Sequence, residues 1–68
     1  MSSELSREVT RIAHNMAVVP GYHGVVSVEA ADELLERFGD TLFCNGYLRR
    51  IVLTPITKKN FSFKTVPA

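Results

Sequence analysis

The sequence lacks most features that mark a catalytic, metal-bound or membrane-spanning chain. It has one cysteine, Cys44, which excludes an internal disulfide framework. Its only histidines are His14 and His23, so the Cys/His spacing of a zinc site is excluded as well. There is no tryptophan, and no glycine-rich loop of the kind that cradles phosphates. The longest apolar run without a charge, Met16 to Val28, is broken by Pro20, Gly21, His23 and Gly24. It falls well short of the ~20 residues that span a bilayer. Met1-Ser2-Ser3-Glu4 has no basic region before an apolar stretch, so no signal peptide is expected. One unpaired thiol without an export signal fits the cytoplasm.

Length is scarce too. With 68 residues the chain is one small domain, 1–68, below the roughly 70–80 residues at which a single core gives comfortable stability. With disulfides and metal set aside, association with itself or with another macromolecule is the remaining aid. Apolar residues make up 46% and charged residues 22%, which is globular rather than disordered.

Net charge is only +1, but the two halves differ. Residues 1–39 carry Glu4, Glu8, Glu29, Asp32, Glu33 and Glu36 against Arg7, Arg11 and Arg37. Residues 40–68 carry Arg49, Arg50, Lys58, Lys59 and Lys64 against Asp40 alone. The C-terminal part is therefore a candidate anion-facing surface. The plainer alternative is that strand edges carry Lys and Arg to block edge-to-edge aggregation.

Leu5, Val9, Ile12, Ala13 and Met16 form one stripe of a helix, with Arg7, Arg11 and His14 along another face. Ser3 is placed to cap it, and Val18-Val19-Pro20-Gly21 stops it. Residues 8–19 also alternate as a strand would, but the helical pattern is preferred. Gly24 to Ser27 reads as a short strand whose last residue caps the next helix, 28–38. There Ala31, Leu34, Leu35 and Phe38 form the apolar stripe, and Glu29, Asp32, Glu33 and Glu36 the acidic outer face. Glu33 and Arg37 are an i,i+4 pair in the favourable order. Gly39 suits the left-handed position that ends a helix. Strands at 41–44 and 47–54 flank Asn45-Gly46, the strongest short signal for a type I′ hairpin turn. Pro55 belongs at a strand end or edge. Thr57 to Asn60 reads as a polar turn, and Phe61, Phe63 and Thr65 as the buried side of a last strand. The expected fold is α+β: one or two helices packed on an antiparallel β-meander.

Catalysis has little to stand on. Cys44, Ser27, His14 and His23 are the available nucleophiles and bases, and no local pattern joins them. Cys44, in an apolar strand, reads as a small buried hydrophobe. So short a chain also leaves little room for a water-excluding pocket of the usual ~300 Å³ or more. No catalytic residue, metal or cofactor is expected. Binding is the open route. Tyr47 with Arg49-Arg50, and Lys58-Lys59 with Phe61, interleave basic and aromatic residues that could meet phosphates and bases; the plainer view puts Tyr47, Phe61 and Phe63 in the core.

Ile12-Ala13-His14-Asn15-Met16-Ala17-Val18-Val19-Pro20 resembles a stretch of the AbrB/MazE-type swapped-hairpin regulators. Phe38-Gly39-Asp40-Thr41-Leu42 and Arg50-Ile51-Val52-Leu53-Thr54-Pro55-Ile56 resemble two later segments of that family, in the same order. Tyr22 to Ala30 stands as an insertion against its pattern. The resemblance implies an interlaced swapped-hairpin β dimer that binds operator DNA, often as an antitoxin, with Asn15 on the DNA-facing hairpin.

The expectation is thus a non-enzymatic regulatory binder, first a DNA-binding transcription regulator or antitoxin acting as a homodimer. Arg49, Arg50, Lys58 and Lys59 would contact phosphates, with Arg7 and Arg11 as further candidates. The alternative is an inhibitor or adaptor that occupies a host enzyme, meeting its protein partner through Glu29, Asp32, Glu33, Glu36, Tyr22 and His23. No membrane partner is expected.

Overall fold

Helical periodicity prevails over strand alternation at the N-terminus. The computed structural model describes residues 3–68, with side chains from Glu4 onward, so the cap expected of Ser3 lies outside the described side chains. The elements are α1 (Ser3–Val18), β1 (Gly24–Ser27), α2 (Val28–Phe38), β2 (Thr41–Cys44), β3 (Tyr47–Pro55) and β4 (Asn60–Pro67). The strand reading of residues 8–19 is thereby overturned. Val9, Ile12 and Met16, spaced by one helical turn, are buried together, whereas a strand would have split them between two faces. Residues 12–18, which open the family resemblance, are helical.

Local chemistry sets the element ends. Ser27 is extended, with φ −70° and ψ 163°, and its Oγ accepts from the backbone N–H of Ala30 at 3.2 Å. That satisfies one of the free donors at the start of α2. At the other end Gly39, at φ 65°, donates its N–H to the Leu35 carbonyl at 2.8 Å. Asn45 and Gly46 have φ 52° and 87°, the doubly left-handed geometry of a type I′ turn. In the β3–β4 turn, Thr57 Oγ1 accepts from the N–H groups of both Lys59 and Asn60 at 3.1 Å. Pro55 is the last residue of β3, opposite Phe61, where its missing N–H does least harm.

The sheet is antiparallel throughout, in the order β1-β4-β3-β2. The meander β2-β3-β4 follows chain order, and β1 joins it at the far edge through Gly24↔Phe63 and Val26↔Phe61. The chain then crosses from one edge to the other through α2. Both helices lie on one face. Val26, Leu42, Ile51 and Phe63 point inward from the four strands and meet Val9, Ile12 and Met16 of α1 and Ala30, Ala31 and Leu34 of α2. Cys44 is buried with them, as a small hydrophobe would be.

Two details differ from the sequence reading. The buried stripe of α2 runs through Ala30, Ala31 and Leu34, and Leu35 is 44% exposed. Two adjacent alanines let α2 lie close to the core with Leu34 at its centre, which turns Leu35, one residue or about 100° further round, to the rim. Tyr47 is 76% exposed rather than in the core, because it is the first residue after the turn and the inward face has ended there. No described helix is long and apolar enough to cross a membrane.

Leu34 is fully buried at the junction of both helices and the sheet. Leu34→Ala should cost about 2–5 kcal/mol in urea unfolding, the range for a truncated core leucine. A loss below about 1 kcal/mol would contradict this packing.

Candidate functional site

The helices cover one side of the sheet and leave the other bare. Since strand side chains alternate, the register defines the bare face. Phe43 stands opposite Leu48; Thr41, Arg50 and Val66 form the next row; Val52 and Lys64 the third; Thr54, Ser62 and Val25 the fourth. Arg50, Lys64, Phe43, Leu48, Val25 and Thr54 on this face are exposed. Among the described residues, Arg50 and Lys64 are the charged side chains on this face, and both are basic. Phe43, Arg50 and Lys64 occupy successive rows on successive strands, an oblique line across the sheet. Diagonal neighbours of this kind lie about 7–8 Å apart.

At the free edge of β2 this face runs into a groove of about 390 Å³, lined by Ala13 and Ala17 of α1, Phe38 of α2, and Leu42, Phe43 and Leu48 of the β2–β3 hairpin, with Arg37 and Thr41 completing it. The sequence reading left little room for a space of that size. It exists because α1 lies along β2 and presents alanines there, and the Asn45 N–H bonds the Ala17 carbonyl at 3.1 Å, which holds the helix end at the hairpin. Its wall is mostly apolar. Phe43, 65% exposed, forms the lip shared by groove and bare face.

Arg49 and Arg50, adjacent in sequence, face opposite ways. Arg50 is on the bare face. Arg49 donates from Nε to Thr65 Oγ1 and from Nη2 to the Thr65 carbonyl, both at 3.0 Å, and Thr65 is buried. Arg49 therefore satisfies a buried hydroxyl and braces β3 against β4. Lys58 and Lys59 are exposed in the β3–β4 turn. Arg50 pairs with Val66, six residues along β4 from Asn60, so about 20 Å of strand separates it from that turn. The four C-terminal basic residues expected to act together are thus divided among three places. Arg7 and Arg11 are exposed on α1, in the helical layer.

The protein-facing candidates are divided as well. Glu29, Asp32 and Glu36 are exposed on α2, away from the sheet. Glu33 pairs with Arg37 at 3.0 Å, as its spacing predicts. The same guanidinium donates to Thr10 Oγ1 at 2.9 Å and Ser6 Oγ at 2.8 Å, so it clasps α1 to α2. Tyr22 is half-buried; its ring lies 5.7 Å from that of Phe63, and its hydroxyl accepts from Asn15 Nδ2 at 3.3 Å. Tyr22 fastens its loop to the core, and Asn15 sits on α1 facing it. His23 is exposed just before β1. Among the described residues, no group of three or more His, Cys, Asp or Glu stands ready to hold a metal ion.

Sequence reasoning counted Lys64 in the basic C-terminal part without naming it as a contact, and passed over Phe43. The alternation of Phe61, Phe63 and Thr65 already put Lys64 on the solvent side, whereas Phe43 is placed only by the β2–β3 register. No protein-family model, curated protein or solved structure matches the chain.

The two arginines should behave differently on truncation. Arg49→Ala should lower unfolding stability by about 1–3 kcal/mol, because it leaves the buried Thr65 hydroxyl without its partner. Arg50→Ala should stay within about 0.5 kcal/mol of the parent. Equal effects in thermal and urea unfolding would refute the opposite orientations.

Proposed function

We propose that this protein is a non-enzymatic regulatory binder that contacts nucleic acid through the bare face of its sheet. One observation carries the reading: among the described residues the charged side chains on that face are Arg50 and Lys64, while the helical layer behind it holds Glu4, Glu8, Glu29, Asp32, Glu33 and Glu36 and is acidic on balance despite Arg7, Arg11 and Arg37. A weak net charge is thereby resolved into a basic side and an acidic side. Phosphate contacts supply most of the affinity of such proteins and orient them on the polymer. Arg50 and Lys64 take this role, with Lys58 and Lys59 as outlying contacts; Arg49 is left out because its guanidinium is engaged with Thr65.

The regulator or antitoxin role, and the homodimer as working form, belong to this proposal. Stacking two bare faces on each other about a central two-fold axis would bring Arg50 and Lys64 of each copy towards those of the other. A dimer that binds nucleic acid would use another surface. A second reading, docking of a basic protein partner on α2, is favoured by the exposed Leu35 among Asp32, Glu36 and Glu29.

Fluorescence anisotropy with labelled oligonucleotides, single-stranded and duplex, at two salt concentrations tests the proposal. Affinity should fall steeply with salt. The double change Arg50→Glu and Lys64→Glu should abolish binding with the thermal midpoint nearly kept, whereas Asp32→Lys with Glu36→Lys should not weaken it. Absence of binding to either form at low salt, or loss of binding only with the α2 changes, would overturn it.

A further inference from the structure

We infer that the ligand of the bare face is single-stranded DNA, with a base stacked on Phe43 and the backbone led across Arg50 and Lys64. This rests on the nucleic-acid reading above and narrows it.

The geometry disfavours a duplex. Both helices pack on the opposite side of the sheet, so no described helix is placed beside the basic residues to enter a groove. The sheet itself is three strands wide at either end, with β2, β3 and β4 abreast in the row of Arg50 and β3, β4 and β1 in the row of Ser62. At about 4.8 Å per strand that is about 14 Å, too broad for a major groove of about 12 Å that admits a helix or a two-stranded ribbon. A duplex also keeps its bases stacked on one another and offers Phe43 none of their faces.

A single strand uses what is there. Exposed aromatic side chains on a positively charged track are the common means of holding unpaired bases. Phe43 is 65% exposed at one end of the oblique line, and Arg50 and Lys64 follow at steps of about 7–8 Å, with no carboxylate among them. The apolar groove beyond Phe43 gives a base a second wall, where Phe38, Ala13 and Ala17 replace water along its edge. Of the side chains that flank the track within its rows, Val66 beside Arg50 and Val52 beside Lys64 offer no acceptor for a ribose 2′-hydroxyl, and Thr41, on the other side of Arg50, is half-buried in the groove wall. That favours DNA over RNA, which proteins distinguish through this group.

The test compares a labelled 12-nucleotide DNA strand of mixed sequence, the RNA of the same sequence, and the corresponding DNA duplex by anisotropy at low salt. The DNA strand should bind most tightly of the three. Phe43→Ala should weaken it about 5- to 150-fold, the range for one lost base stack, while Phe43→Trp keeps or tightens it. Circular dichroism and the thermal midpoint of each variant guard against a merely unfolded edge strand; the Phe43→Trp result decides the matter if Phe43→Ala does not fold. Tighter binding to duplex or RNA, or indifference to both changes at Phe43, overturns this inference and leaves the broader proposal standing. No binding to any of the three overturns both.

Discussion

Both helices are needed to cover a single face of the sheet, and everything distinctive about this protein follows from that constraint. Buried side chains from α1, α2 and all four strands make one continuous core. The described elements form two layers, and none of them packs on the other face of the sheet. Antiparallel sheets tolerate this, since one face can pack while the other meets solvent. The price is a broad exposed surface that carries apolar as well as basic side chains.

Polar interactions refine this arrangement rather than create it. Arg37 gathers Glu33, Thr10 and Ser6 and fixes how α1 lies against α2. Tyr22 ties its loop to Phe63 and to Asn15. Arg49 spans β3 and β4 through Thr65, the one buried polar residue among those described. No buried side-chain nitrogen or oxygen among the described residues is left without a partner. These residues attract attention in the sequence because they are charged, aromatic or amide-bearing, yet their chemistry is spent inside the fold.

Position on the sheet then separates binding chemistry from bracing chemistry. Arg49 and Arg50 have the same functional group and adjacent positions. One faces a buried hydroxyl and the other faces water, because successive residues of a strand point to opposite sides. The same alternation puts Phe43, Leu48, Arg50 and Lys64 on one surface and leaves the acidic residues of α2 on the other. A formal charge of +1 thus conceals two sides of opposite sign.

Local physics made much of the fold legible in advance. The helical spacing of Val9, Ile12 and Met16, the Ser27 cap, the stop at Gly39, the Asn45-Gly46 turn and the Glu33–Arg37 pair each depend on residues a few positions apart, so their energies are written into short stretches of chain. What the sequence could not decide was which alternating set of β3 turns inward, that β1 would join β4 across more than thirty residues, or that α1 would lie along the β2 edge to form a groove with Phe43 at its lip. Those outcomes depend on how both helices share one core, and only the assembled tertiary structure balances contacts so distant in the chain.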